Sequence, residues 1–130
     1  MRYLNFTLII AVLFIGCKKE IRPSSAKLVG EWELKSSTDG MSGEVINYQT
    51  NLGNILALGS STYKETKNKE IIRQGKYTTT REISIVSKKE EDRIIFDDPT
   101  IRVFFSIDGD ILSIYPDVYD GGSVSYKKIK

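Results

Sequence analysis

Few side chains in this 130-residue chain can do chemistry, and the missing types narrow the field most. There is no histidine. That excludes Ser-His and Cys-His nucleophilic pairs, and every zinc or iron site built on an imidazole. The single cysteine, Cys17, can form no disulfide within the chain. Carboxylate chemistry is what is left. Glu31 and Glu33 lie two residues apart on a strand-like alternation and point the same way, as a pair of glycosidase carboxylates would have to. Both fall on the polar face opposite Trp32, in water rather than in a cleft, so no enzyme is expected. Asp108 and Asp110 flank Gly109, but no third ligand and no closing Glu follow at calcium-loop spacing. They read as a hairpin turn. No metal and no cofactor are expected.

Cys17 takes its meaning from what precedes it. Met1 to Asn5 carries one basic residue, Arg2, and Leu8 to Ile15 is an unbroken apolar run of eight ending at the small Gly16. Those are the zones of a secretory signal peptide over residues 1–16. A retained membrane span needs about 20 apolar residues. Leu4 to Gly16 offers 13, with Asn5 and Thr7 among them. Plain secretion and a retained anchor stay as alternatives. Phe14-Ile15-Gly16-Cys17 also resembles a bacterial lipobox, with Phe14 where Leu is commoner. That resemblance implies cleavage before Cys17 and a diacylglycerol on its sulfur, usually with a further acyl chain such as palmitate on its nitrogen. More than one chain is what stable anchoring to a membrane requires. Residues 17–27 then comprise the lipidated cysteine and a short polar tether. Lys18 stands where inner-membrane retention typically has Asp, so the outer membrane is implied, with its periplasmic face favoured over the cell surface.

The remainder is long enough for one domain with one core. Lys and Arg number 19 against 17 Asp and Glu. So even a balance argues against nucleic acid as a partner.

From Leu28 onward the apolar residues recur with period two. Leu28, Gly30, Trp32 and Leu34 share one face, and Val29, Glu31, Glu33 and Lys35 the other. Ile101, Val103, Phe105 and Ile107 alternate with Arg102, Phe104 and Ser106, while Ile83/Ile85, Leu112/Ile114 and Val124/Tyr126 give shorter runs. Turn signals at Asp39-Gly40, Asp97-Asp98-Pro99, Asp108-Gly109-Asp110 and Asp120-Gly121-Gly122 separate them. Lys88 to Arg93 reads as a solvated hairpin tip. The pattern predicts an all-β fold of eight or nine short strands without a helix: an antiparallel meander barrel of about eight strands or, alternatively, a β-sandwich. Residues 41–61, broken by Gly43, Gly53 and Gly59, are the least legible. Trp32, Leu34, Ile83, Ile85, Val103, Phe105, Leu112, Ile114 and Tyr126 are expected inside, and Glu31, Glu33, Lys35, Arg102 and Lys127 outside.

Three motifs in order resemble the small lipocalin-like lipoproteins of diderm bacteria. They are Leu28-Val29-Gly30-Glu31-Trp32, similar to the lipocalin Gly-x-Trp; Gly75-Lys76-Tyr77 before the Ile83/Ile85 run; and the ending Phe105 to Leu112 with Val124 to Ile129. The chain lacks the second lipocalin motif around Thr-Asp-Tyr and any C-terminal helix pattern. The resemblance covers residues 28–130 and implies that Trp32 plugs one end of a barrel, with Gly30 at a strand kink. Inward tyrosines and phenylalanine, namely Tyr77, Phe105 and Tyr126, are the candidate ligand-lining residues. Two functions remain open. One is a carrier or sensor of a small apolar or amphipathic molecule; the other is an interaction module with an envelope protein, using the outside of a filled barrel. No inward charge is evident, so any pocket is expected to be shallow, at the barrel mouth, and unselective.

Overall fold

The computed structural model describes residues 24–130. Cys17, the expected signal peptide and residues 18–23 of the expected tether lie outside them. One short helix, α1 (Ser25–Leu28), precedes ten strands. These are β1 (Gly30–Thr38), β2 (Val45–Asn47), β3 (Ile55–Leu58), β4 (Thr62–Lys67), β5 (Glu70–Lys76), β6 (Thr78–Ile83), β7 (Glu90–Ile95), β8 (Val103–Asp108), β9 (Ile111–Pro116) and β10 (Ser123–Lys128). The fold is all-β.

A single antiparallel sheet carries it, in the order β5-β4-β3-β1-β10-β9-β8-β7-β6, with β2 added to the far half of β1. First and last strands pair, Trp32 opposite Lys128 and Leu34 opposite Tyr126. β5 and β6 are the two edges, yet only Tyr77 separates them in sequence. Strands alternate in direction, so β5 and β6 run parallel, and residues 73, 75, 77, 79 and 81 keep one inward phase through both. The stretch 70–83 is therefore one bent strand with β4 on one side and β7 on the other. The nine strands from β5 round to β6 curl into a barrel-like wall, and among the described residues no second sheet forms a sandwich. The two halves of the shared strand each lack one ladder, so closure there falls to side chains.

The interior is packed at the end where β1 begins. Leu28, Trp32, Leu56, Leu58, Tyr63, Tyr77, Ile94, Phe105 and Leu112 form the core. Trp32 is fully buried, and its indole Nε1 donates to the Leu28 carbonyl at 2.7 Å. That bond fixes α1 as a plug, so residues 24–27 of the expected tether belong to the folded part. Gly30 sits at φ 147°, and a Cβ there would come within 2.4 Å of the Lys130 carbonyl. Only glycine fits where the C-terminus crosses the first strand.

Several expectations are corrected. Ile83 and Ile85, expected inside, are 67% and 51% exposed. β6 stops at Ile83 and the chain turns through residues 84–89, because Asp117 accepts hydrogen bonds from Ser84 Oγ, Ile85 N and Val86 N and ties that turn down. Lys88 to Arg93 is not all hairpin tip: Glu90–Ile95 is β7, and Arg93 is buried with its guanidinium on Glu82 Oε2 (2.6 Å) and the Pro99 carbonyl (2.5 Å). Glu33, expected outside, is 9% exposed, because the loop after β2 lies over it and the Asn51 amide donates to Glu33 Oε1 at 2.5 Å. Arg102 is half-buried, bonded to Asp117 and Glu82, and Glu31 is half-buried beside Lys130. Leu34, Val103, Ile114 and Tyr126 are only partly buried, because the interior opens beside them. The run expected from Thr100 begins as a strand at Val103, leaving Ile101 exposed.

Phe104 lies on the outer face and is nonetheless fully buried. It stacks near Tyr115, with ring centroids 6.5 Å apart, under the Arg102 guanidinium. Glu82, Arg93, Arg102 and Asp117 complete a polar brace across β6 to β9. Burial alone would push the Asp117 carboxyl up; the Ile85 and Val86 amides, the Ser84 hydroxyl and Arg102 outweigh it and hold Asp117 well below the usual carboxylate range. Hydrogen bonding from Arg93, ahead of a smaller burial effect, likewise holds Glu82 low.

Candidate functional site

The other end of the interior is open. A cavity of about 370 Å³ lies between β3–β5 and β7–β10. Its walls are Leu56, Ile94, Phe96, Ile101, Val103, Ile114, Val124 and Tyr126, and its polar groups are Glu65, Arg73, Asp97 and Asp98. A second hollow of about 320 Å³, beside Leu34, Ser37, Tyr48, Ile55 and Ile72, shares Glu65, Val124 and Tyr126 with the first. The two hollows adjoin at Glu65, Val124 and Tyr126 and make up the groove at this end of the interior. A volume of this size is in the range of small-molecule sites.

Strand phase explains the location. Inward positions on β4 are Tyr63 and then Glu65, opposite Gly75 and Arg73 on β5. On β10 they are Tyr126 and then Val124, opposite Leu112 and Ile114. The first member of each pair packs into the core; the second lies two residues further toward the open end. On β1 a bulge at Lys35 shifts the register between Leu34 and Ser36. The inward position after Leu34 thereby becomes Ser37, too small to fill the space.

The gap beside β5 is bridged by the segment after β7. Phe96 meets Tyr63 edge-on, with centroids 4.8 Å apart, and reaches Tyr77 at 6.5 Å. The Tyr63 hydroxyl donates to the Asp97 carboxylate. A Cβ at Gly75 would stand 2.6 Å from Asp97 Oδ1, so this approach requires glycine there. The Arg73 guanidinium rests over both rings, 5.4 Å from Tyr63 and 5.2 Å from Phe96, and 3.1 Å from Glu65 Oε2.

Burial, then the neighbouring Glu65 charge, pushes the Tyr126 hydroxyl up to about 12. It stays a neutral donor and acceptor at any physiological pH. Among the described residues it has no hydrogen-bond partner, and it borders both hollows. Burial, and then the bond to Asp97, raises Tyr63 as well.

The three candidate ligand-lining residues divide. Tyr126 lines the groove. Tyr77 lies in the core with its hydroxyl on the Gly59 carbonyl at 2.5 Å, and Phe105 lies in the core as well; neither borders the groove. The expectation of no inward charge is overturned by Glu65 and Arg73. Their signal was present in Tyr63-x-Glu65 and Arg73-x-Gly75-x-Tyr77, but it is readable only once those strands are phased against the core. The two acids Glu31 and Glu33 serve separate partners, Lys130 and the Asn51 amide. Among the described residues no group of acidic side chains is arranged to hold a metal ion. No protein-family model, no curated protein and no solved structure matches this chain.

Proposed function

We propose that this chain is a lipid-anchored lipoprotein of the bacterial envelope, held to the periplasmic face of the outer membrane through Cys17. Its lipocalin-like domain binds a small amphipathic molecule in the open end of the barrel and carries out no catalysis. The groove is the observation that carries the binding role: a space of about 370 Å³ with apolar walls and a few convergent polar groups is what orientation-specific capture of an amphiphile requires. The anchor rests on the apolar run from Leu8 to Ile15 and on Gly16-Cys17.

Two measurements test the two halves. Intact-mass analysis of the protein from membranes should show loss of residues 1–16 and added acyl mass on Cys17, while Cys17→Ser should leave the precursor uncut. A free thiol on an uncleaved chain would end the anchor reading. Displacement of an environment-sensitive fluorophore by amphiphiles should saturate at one site, and Val124→Trp, which fills the groove, should abolish it. Equal binding by that variant would end the carrier reading.

One observation favours the second role, an interaction module. Ile83, Ile85, Val86, Val118 and Tyr119 are exposed around the turn that Asp117 ties down. Grouped exposed apolar side chains of this kind mark contact surfaces. A photo-crosslinker at Ile85 that captures one envelope protein in cells would support that role.

A further inference from the structure

The free protein already seats a cation where a ligand headgroup would sit. Arg73 comes from the inward face of β5, yet its side chain remains 52% exposed. Its guanidinium covers the Tyr63 and Phe96 rings at 5.4 and 5.2 Å and pairs with Glu65 at 3.1 Å. Two aromatic faces and a carboxylate are the groups that recognise an ammonium or guanidinium ion. Asp97 and Asp98 border the same cavity, so its lining carries three carboxylates against one guanidinium. An anionic headgroup would meet a surplus of like charge in a partly desolvated space. A cationic one would meet the opposite.

We infer that the groove takes an amphiphile with a cationic headgroup, and that Arg73 occupies the headgroup position until the ligand displaces it. This rests on the reading of the groove as a binding site. A half-exposed ion pair and exposed cation–π contacts are individually weak, and the side chain has open solvent to swing into. The apolar tail of the ligand would then lie against Val103, Ile114 and Val124, which line the same cavity. Affinity comes from the tail, and selectivity from Glu65, Asp97 and the two rings.

The sign of the Arg73 effect separates two roles. If Arg73 were an anion-binding residue, removing it would weaken a carboxylate ligand. If it is an internal competitor, removing it tightens a cationic one. The mature full-length protein in zwitterionic nanodiscs would be titrated with three water-soluble probes of equal chain length: hexyltrimethylammonium, hexanoate and hexyl glucoside. Methyl NMR shifts of Ile94, Ile114 and Val124 report occupancy of the groove itself, separately from partition into lipid. The cation should saturate these shifts at a concentration at least about ten-fold below hexanoate, a ratio equivalent to about 1.4 kcal/mol. Arg73→Ala should tighten the cation several-fold and by more than it tightens hexyl glucoside, while Glu65→Gln should weaken the cation alone. Tighter binding of hexanoate, or weaker cation binding in Arg73→Ala, overturns the inference while leaving the groove a binding site. Groove methyls that no probe shifts would remove the inference and the carrier reading together.

Discussion

The two ends of this barrel interior share their strands and differ in what two residues of each strand place there. At the packed end the inward side chains are Trp32, Leu58, Tyr63 and Leu112, all buried. At the open end β1 and β4 offer Ser37 and Glu65, with Arg73 on β5 and Val124 on β10, none of them a large apolar group. Two residues of strand are about 6–7 Å, so the change from filled to hollow takes place over little more than one side chain. A small barrel of short strands can fill itself completely. This one does so over half its length because charge and a bulge interrupt the apolar phase in the other half.

The largest expected effect belongs to the packed end. Phe105 is 2% exposed and faces inward between Asp92 on β7 and Ile114 on β9. Phe105→Ala should destabilise the domain by about 3–5 kcal/mol, the range for large-to-small changes in a core, measured by urea unfolding. Val124→Ala at the open end should cost far less, since its methyl groups already border space. Equal losses at the two sites would erase the distinction between the ends.

The open end needs another source of rigidity, and the outer face supplies it. Arg102 joins Asp117 on one side and Glu82 on the other, and Glu82 holds Arg93, bracing β6 to β9 behind Ile94 and Val103. Asp117→Asn should cost about 1–3 kcal/mol, as it leaves the Arg102 charge and one amide without their acceptor. Because the folded state holds the Asp117 carboxyl below its unfolded value, its contribution is complete above about pH 4. It is lost as pH falls further toward the folded value. The variant should therefore have a flatter acid limb below pH 4 than the native chain. A parallel pair of acid limbs would show that the brace does not depend on the charge.

How much of this was legible in the sequence follows from the same contrast. Trp32, Phe105 and Leu112 announce themselves because the core tolerates only large apolar groups, so strict alternation survives there. The turns at Asp39-Gly40, Asp108-Gly109-Asp110 and Asp120-Gly121-Gly122 also fall between strands as their residue types imply. The groove was not legible. Its inward positions are polar, and in the sequence Glu65 and Arg73 look like solvent-facing residues of strands bearing Lys64, Lys67, Glu70 and Lys76. Ile83 and Ile85 misled for the converse reason: two apolar residues in phase imply a strand, but the acceptor that ends it, Asp117, is more than thirty residues away. Glu33 is hidden by a loop whose path no local pattern encodes.

The smallest expected effect is the most specific to the open end. Tyr126 lies where the two ends meet, opposite Leu34 on β1 and Leu112 on β9. Its ring packs against the core while its hydroxyl borders the groove with no protein partner among the described residues. Tyr126→Phe keeps the ring and breaks no bond within the protein, so stability at pH 8 should change by less than about 1 kcal/mol. Alkaline pH separates the two chains. The native Tyr126 holds its proton to about pH 12 in the folded state, because burial and then Glu65 disfavour the phenolate. In the unfolded chain it ionises near pH 10. Its contribution is therefore intact below about pH 10 and lost as pH rises toward 12. Unfolding midpoints of the native chain and Tyr126→Phe should nearly coincide at pH 8 and separate above pH 10, with the native chain falling faster. Coincident curves throughout would mean that the hydroxyl is as well hydrated as free tyrosine, and that the open end reaches much further into the barrel than the groove around Tyr126.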